Sequence, residues 1–552
     1  MGELGFGINH GSIMKHSFCF AQKTWQTALL AILLLPSGLV GAAPAQETQT
    51  DSRRPQLIRR NGSTAFMVDG QPFHMISGEL HNSSSSSLDY MKPIWPKLSA
   101  LNLNSVVASL SWELVEPVEG QYDFKLLDGL IASAREQNMR LALIWFATWK
   151  NGDGTYIPAW VKTNTQRFVR CQHIAGRDTT QLSALCEANM AADARAFAAV
   201  MRHIRKVDSK RHTVIMMQVE NESGVMPVAR DHGALAEAAF AKPVPVELMR
   251  YLVEHKERLN ADTREIWGRN QFKESGTWSE VFSADAEEVF MSWSIGRYIG
   301  TVAAAGKAEY ALPMYANAWL VQFKGQNAGE YPSGGPVAKM HDIWRAAAPA
   351  IDLLAPDIYL DDFKGICREY TQGGNPLFIP EARLEKLAGR RAYYAFGAHD
   401  ALCFAPFGID ELADNDPLRE HYAVLRSLLP LFARHPESTN RIGFLQSPGE
   451  KSTNIDIGDF RAEIEYSDQG DPGAGLVLAI APDTFVITGV DYSIRFGGRS
   501  NKPGNTAWLS IDEGVFVNGQ WKPGRRLNGD EASWRVHLGH KPQVLIGRAY
   551  RY

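Results

Sequence analysis

Cysteine is scarce: five in 552 residues. Cys19 lies near the start, and Cys171, Cys186, Cys367 and Cys403 follow no zinc-ligand spacing, which excludes a zinc module of the usual patterns. Cys171 and Cys186 are the pair that an oxidising compartment could bridge. An excess of one charge is also missing. The 57 Lys+Arg and 61 Asp+Glu leave a net charge of −4 with no basic run, so the chain offers no electrostatic footprint for nucleic acid. Long apolar runs are absent too, and the run from Ala28 to Leu35 is too short to span a bilayer as a stable helix. No repeat of solenoid or propeller type is present.

That short run has a different reading. Lys15, His16 and Lys23 precede it, Pro36, Ser37 and Gly38 loosen the chain after it, and Ala43-Pro44-Ala45 fits a signal-peptidase site. Residues 1–45 therefore read as an export signal, with Met14 as an alternative start. The mature protein is expected in the periplasm or outside the cell, without stable membrane insertion. Residues 46–69 read as a polar linker and a hairpin turning at Asn61-Gly62-Ser63.

What the chain does have is alternation of buried strands and amphipathic helices. Strands are expected at 73–77, 105–109, 141–146, 214–219, 312–316, 353–355, 377–379 and 402–405. Helices fall between them, and a charged helical insertion covers 246–269 and 284–305. Eight such units over residues 70–435 make an α/β fold, a (β/α)8 TIM barrel with a helical insertion. From residue 436 to 552 the pattern becomes short period-two runs broken by glycine, an all-β, sandwich-like C-terminal domain. Its aromatics are scattered in sequence, which favours a buttress over a polysaccharide-binding role.

In such a barrel, residues at the carboxyl ends of the strands share one mouth. The fourth strand ends in Glu220-Asn221-Glu222 and the seventh in Pro380-Glu381. A carboxyl pair facing across a barrel is what glycoside hydrolysis requires, one group protonated for the leaving oxygen and one ionised. Glu381 is placed as nucleophile and Glu222 as acid/base, with Glu220 an open rival that the pattern barely separates. Other rim candidates are Trp319 and Asn317 after strand five, and Tyr359 after strand six, placed to hydrogen-bond Glu381. Tryptophan is abundant, 14 residues, and its face suits a sugar ring. No His/Asp/Glu cluster has metal-ligand spacing, so neither metal nor cofactor is expected.

Asn-Glu ending strand four, with a Glu ending strand seven, is similar to the superfamily of retaining glycosidases in which the acid/base follows an Asn. Ile76-Ser77-Gly78-Glu79-Leu80-His81, Trp112 to Phe124 and Gln218 to Glu222 together resemble glycoside hydrolase family 35. The resemblance implies an exo-β-galactosidase acting by double displacement on a carbohydrate substrate. It places the acid/base at Glu222 rather than Glu220 and makes Asn221 a ligand of the sugar 2-hydroxyl. Where that family has an Arg-Pro-Gly-Pro-Tyr run and an Ala-Glu-Trp-like segment, this chain has Trp145 to Gly152. That departure resembles a divergent bacterial branch acting on galactosylated plant xyloglucan, and it marks Trp149 and Asn151 as replacement pocket residues. Another sugar specificity, β-glucoside or arabinoside, and a non-catalytic carbohydrate-binding barrel are the competing readings.

Overall fold

The computed structural model describes residues 53–552 apart from 61–62, 414, 437, 469, 500 and 502–503. The expected export signal and the Asn61-Gly62 turn lie outside the described residues.

Eight parallel strands form the central sheet: β1 (Met75–Ile76), β2 (Ser105–Ser111), β3 (Arg140–Lys150), β4 (Val214–Asn221), β5 (Met314–Trp319), β6 (Leu353–Ile358), β7 (Phe378–Ala382) and β8 (Cys403–Pro406). Each pairs with its sequence neighbours, and β1 also pairs with β8. The barrel closes between β1 and β2, where Val107 N donates to Gly78 O at 3.0 Å and Leu80 N to Val107 O at 3.0 Å.

Because both faces of these strands are covered, they read as nearly continuous apolar runs. Alternate residues such as Val107, Ile144, Phe146, Tyr315 and Phe378 fill the interior. Their neighbours, such as Leu141, Leu143, Met314 and Leu354, pack outward against the helices. The N-terminal strands Gln56–Arg60 and Ser63–Val68 pair antiparallel and send Phe66 and Val68 into the interior cluster. Asp69, just beyond them, bonds His212 at 2.7 Å and Arg140 at 2.7 Å, near the starts of β4 and β3.

The expected helices form, with two adjustments. The insertion over 246–269 is two helices, Val246–His255 and Ala261–Gly268, because Asn260 caps the second by accepting from Thr263 N at 2.6 Å. An unanticipated hairpin, Arg170–Ile174 with Arg177–Leu182, follows β3. Cys171 and Cys186, the candidate bridge, are both free buried thiols.

After helix α1 (Leu418–Arg434) the chain is all β. Its strands are β9 (Arg441–Leu445), β10 (Ser452–Ile457), β11 (Phe460–Tyr466), β12 (Ala474–Ala481), β13 (Thr484–Val490), β14 (Tyr492–Gly498), β15 (Thr506–Val517), β16 (Gln520–Leu527), β17 (Val536–Leu538) and β18 (Gln543–Arg551). They make a six-stranded sheet, β9-β12-β13-β18-β15-β16, and a four-stranded sheet, β10-β11-β14-β17. Ile464, Val477, Phe485, Ile494 and Phe496 belong to one core shared by the two sheets.

This region packs on the barrel helix Ala388–Ala398. A Cβ on Gly397 would lie 2.6 Å from Gly443 Cα, so the two backbones touch. Beside that contact, buried Arg390 pairs with buried Asp491 at 2.7 Å and donates to Pro472 O at 2.8 Å. The β region thus packs directly on a barrel helix.

Candidate active site

The site is assembled at the carboxyl ends of β3 to β7. In a regular strand Glu220 and Glu222 would point the same way, since side chains repeat every two residues. Here Glu220 has φ +65° and Glu222 φ +43°, and the alternation breaks between them. Left-handed backbone at a non-glycine residue costs about 1–3 kcal/mol and persists only where the surroundings impose it. Gly224 marks that constraint, since a Cβ there would lie 2.4 Å from Pro332 Cβ.

The consequence is two carboxyl groups with separate environments. Glu220 turns toward helix Glu187–Asp208 and hydrogen-bonds Asp193, while Trp149 N donates to it at 2.7 Å. Asp193 in turn accepts from Trp145 Nε1 at 2.8 Å, Thr148 Oγ1 at 3.0 Å and Tyr298 OH at 3.1 Å. Burial first, then the Asp193 charge, raises the Glu220 pKa, so Glu220 holds the proton of the pair. Glu222 instead lines an open cavity of about 340 Å3 together with Lys150, Asn151, Trp319, Asp357, Tyr359 and Glu381.

Asn317 ties these strand ends together. Its Oδ1 accepts from Glu222 N at 3.0 Å, and its Nδ2 donates to Asn221 Oδ1 at 3.1 Å and to Asp357 Oδ2 at 2.6 Å. Gln218 Nε2 also donates to Asn221 Oδ1, at 2.8 Å, and Asn221 Nδ2 reaches Asn151 Oδ1 at 3.3 Å. Asn221 is thereby fixed just beneath the cavity.

Four carboxyl groups meet here. Burial, and then the Glu381 charge, lifts Glu222 to about 7, with Lys150 and a hydrogen bond from Asp357 opposing the rise. Asp357 is raised by burial, then by Glu381 and Glu222, and stays protonated. Glu79, at the end of the β1 segment, is fully buried and raised by burial and then by Glu381, to which it hydrogen-bonds. Glu381 accepts a second bond from Tyr359 OH, at 2.5 Å. Burial and the Glu381 charge raise the Tyr359 pKa, so the phenol remains a donor. A carboxyl group poised near 7 that shares a cavity with Glu381 is suited to give and take a proton there.

Of the residues expected from sequence, Glu222, Glu381, Asn151, Trp319 and Tyr359 share the cavity. Trp149 does not. Its buried indole packs edge-on against Tyr298 at 4.9 Å, in the layer between strands and helices, because its neighbour Lys150 takes the inward position. Sequence reasoning passed over Asp357 and Lys150. Asp357 lies opposite Glu381 in the β6–β7 register, two residues before Tyr359, and that position was its signal. Lys150 is 9% exposed with its ammonium 5.2 Å from the Phe146 ring. Among the described residues, no group of three His, Cys, Asp or Glu is placed to hold a metal ion, and no helix is long and apolar enough to cross a membrane.

Residues 89–289 match the glycoside hydrolase family 42 model, described as beta-galactosidase. Over those residues the barrel is similar to the beta-galactosidases that the model describes. Residues 418–539 match a family described only as a domain of unknown function, DUF5597. A beta-galactosidase of Xanthomonas manihotis is 31% identical over 181 residues, which cover 32% of this chain and 27% of that protein. One from Felis catus is 36% identical over 96 residues, 17% of this chain and 14% of that protein. The chain thus matches little more than a quarter of the length of the first of these curated relatives and about a seventh of the second. Among solved structures, a beta-galactosidase from Bacillus circulans sp. alkalophilus aligns with TM-score 0.41 at 16% identity over 60% of this chain and 50% of that one. A structure titled glycoside hydrolase aligns with TM-score 0.44 at 10% identity over 90% of this chain and 97% of that one.

Proposed function

We propose that this chain is an exported, retaining exo-β-galactosidase. The observation that carries the reading is the pairing of Glu222 and Glu381 in one cavity, with Glu222 lifted to about 7 and Glu381 accepting from Tyr359 OH at 2.5 Å. In this scheme Glu381 attacks the anomeric carbon while Glu222 gives its proton to the departing oxygen. Glu222, now ionised, takes a proton from water as that water displaces Glu381 from the sugar. Trp319 stacks on a sugar face, and Asn151 and Asn221 fix hydroxyl groups at the strand ends. The motif resemblance to family 35, and with it galactosylated plant oligosaccharides or polysaccharide side chains such as xyloglucan, forms the finer part of the proposal.

The test follows the released sugar by NMR from galactosylated xyloglucan oligosaccharides. Galactose appearing first as the β anomer supports double displacement, whereas an α product overturns it. A panel of nitrophenyl glycosides decides the sugar, because the Trp145 to Gly152 segment differs from the family pattern within the pocket wall. A faster β-glucoside or arabinoside would move the specificity and leave the mechanism standing. Export is tested by N-terminal sequencing of the mature chain, with Gln46 the expected first residue.

A further inference from the structure

Tryptophan is highly buried on average, yet Trp534 is 83% exposed. It stands on the β region, at the rim of a second cavity of about 330 Å3 that shares no lining residue with the barrel cavity. Three aromatics far apart in sequence, Trp508, Trp534 and Tyr552, meet there, and Tyr552 is 72% exposed. Trp508 is set firmly. Its ring crosses Phe496 edge-on at 5.1 Å and lies against Gly547, where an added Cβ would meet the indole at 2.6 Å.

The rest of the lining mixes apolar residues, exposed Leu509 among them, with two arginines and neutral polar groups. Arg526 is held by Asp512 at 2.7 and 3.0 Å, and Arg495 by Glu463 at 2.6 Å, so neither guanidinium is left to attract an anion. Asn528, Ser510 and Ser533 add neutral donors and acceptors. An apolar peptide or lipid would strand these groups, and an anionic ligand would find its cations already paired. Aromatic faces beside neutral hydrogen-bonding groups match a neutral sugar, which has an apolar C–H face and a hydroxyl edge.

We propose that this cavity of the β region is a glycan-binding site that takes a stretch of neutral polysaccharide through Trp534, Trp508 and Tyr552. It lets the chain hold a polymer away from the barrel cavity. The proposal shares the carbohydrate class with the barrel reading but is read out by binding alone.

The test uses the full chain carrying Glu381→Ala, so that no substrate is consumed. It runs by affinity electrophoresis through a panel of soluble neutral polysaccharides: galactosylated xyloglucan, galactan, arabinan and mixed-linkage glucan. Retardation by at least one polymer is expected. Adding Trp534→Ala should weaken it by roughly tenfold or more, the size of a central tryptophan contact, while Trp534→Phe keeps part of it. Because Trp534 is exposed, its removal leaves the core intact, and an unchanged melting temperature verifies this. Equal retardation with and without Trp534 overturns the site, as does a parent that no polymer retards. A Trp534-dependent dimer in sedimentation also overturns it, since the face would then serve a second copy.

Discussion

Exchanging Glu222 for glutamine removes the titration at that position while keeping its shape. The folded protein binds the Glu222 proton more tightly than the unfolded chain, because burial and then Glu381 lift its pKa from 4.5 to about 7. The sign follows from linkage. A raised carboxyl pKa contributes stability that is complete below 4.5 and is lost as pH rises through about 7. The rise from 4.5 to about 7 corresponds to about 3 kcal/mol at full effect. Glu222 opens onto a cavity and is coupled to Asp357, so about 1–3 kcal/mol is the expected gain for Glu222→Gln at alkaline pH, with almost none below pH 4.5. Urea unfolding at the two pH values measures it. In the same variant the alkaline fall expected in kcat/KM near 7 should vanish. Turnover of natural galactosides should drop by about 10²- to 10⁴-fold, with nitrophenyl substrates spared because their leaving groups need little acid help. A stability change equal at both pH values, or parental turnover of natural substrates, refutes the assignment.

Four further outcomes test the surrounding structure. Tyr359→Phe removes a donor to Glu381 and should lower kcat by about ten- to a hundredfold at little cost in KM, since a hydrogen bond to a charged group is worth about 1.5–3 kcal/mol; steady-state kinetics decide it. Glu220→Gln reproduces the protonated partner of Asp193, so it should leave turnover and stability within about 1 kcal/mol of the parent. Asp193→Asn, which takes an acceptor from Trp145, Thr148 and Tyr298, should cost about 2–4 kcal/mol in the same denaturation assay. Gly397→Ala drives a methyl group into the Gly443 backbone and should cost about 1–3 kcal/mol, seen as a lower melting temperature.

The barrel was legible because its strands are buried on both faces and end abruptly in polar residues. Each leaves an apolar run with a chemical group at its end, as at Glu222 and Glu381. Glu220 and Glu222 could not be separated by pattern because what separates them is backbone conformation. Two left-handed residues at the strand's polar end, Glu220 and Glu222 on either side of Asn221, send one carboxyl toward Asp193 and the other into the cavity. Trp149 was named for its chemistry, and the irregular pairing of β3 with β4 between Trp145 and Lys150 hid that Lys150 is the one that faces inward.

The β region shows the same limit on a larger scale. β9, β10, β14 and β16 were not read from the sequence, β16 because it is an exposed edge strand in which Pro523 is tolerated and no buried face repeats. Trp508, Trp534 and Tyr552 look scattered along the chain, and pairing of β15 with β18, from Thr506↔Arg551 onward, brings the first and last of them to one end of a sheet. Local periodicity records which face of a strand is buried. Only register records which distant side chains share that face, and both the carboxyl cluster and the aromatic cavity are products of register.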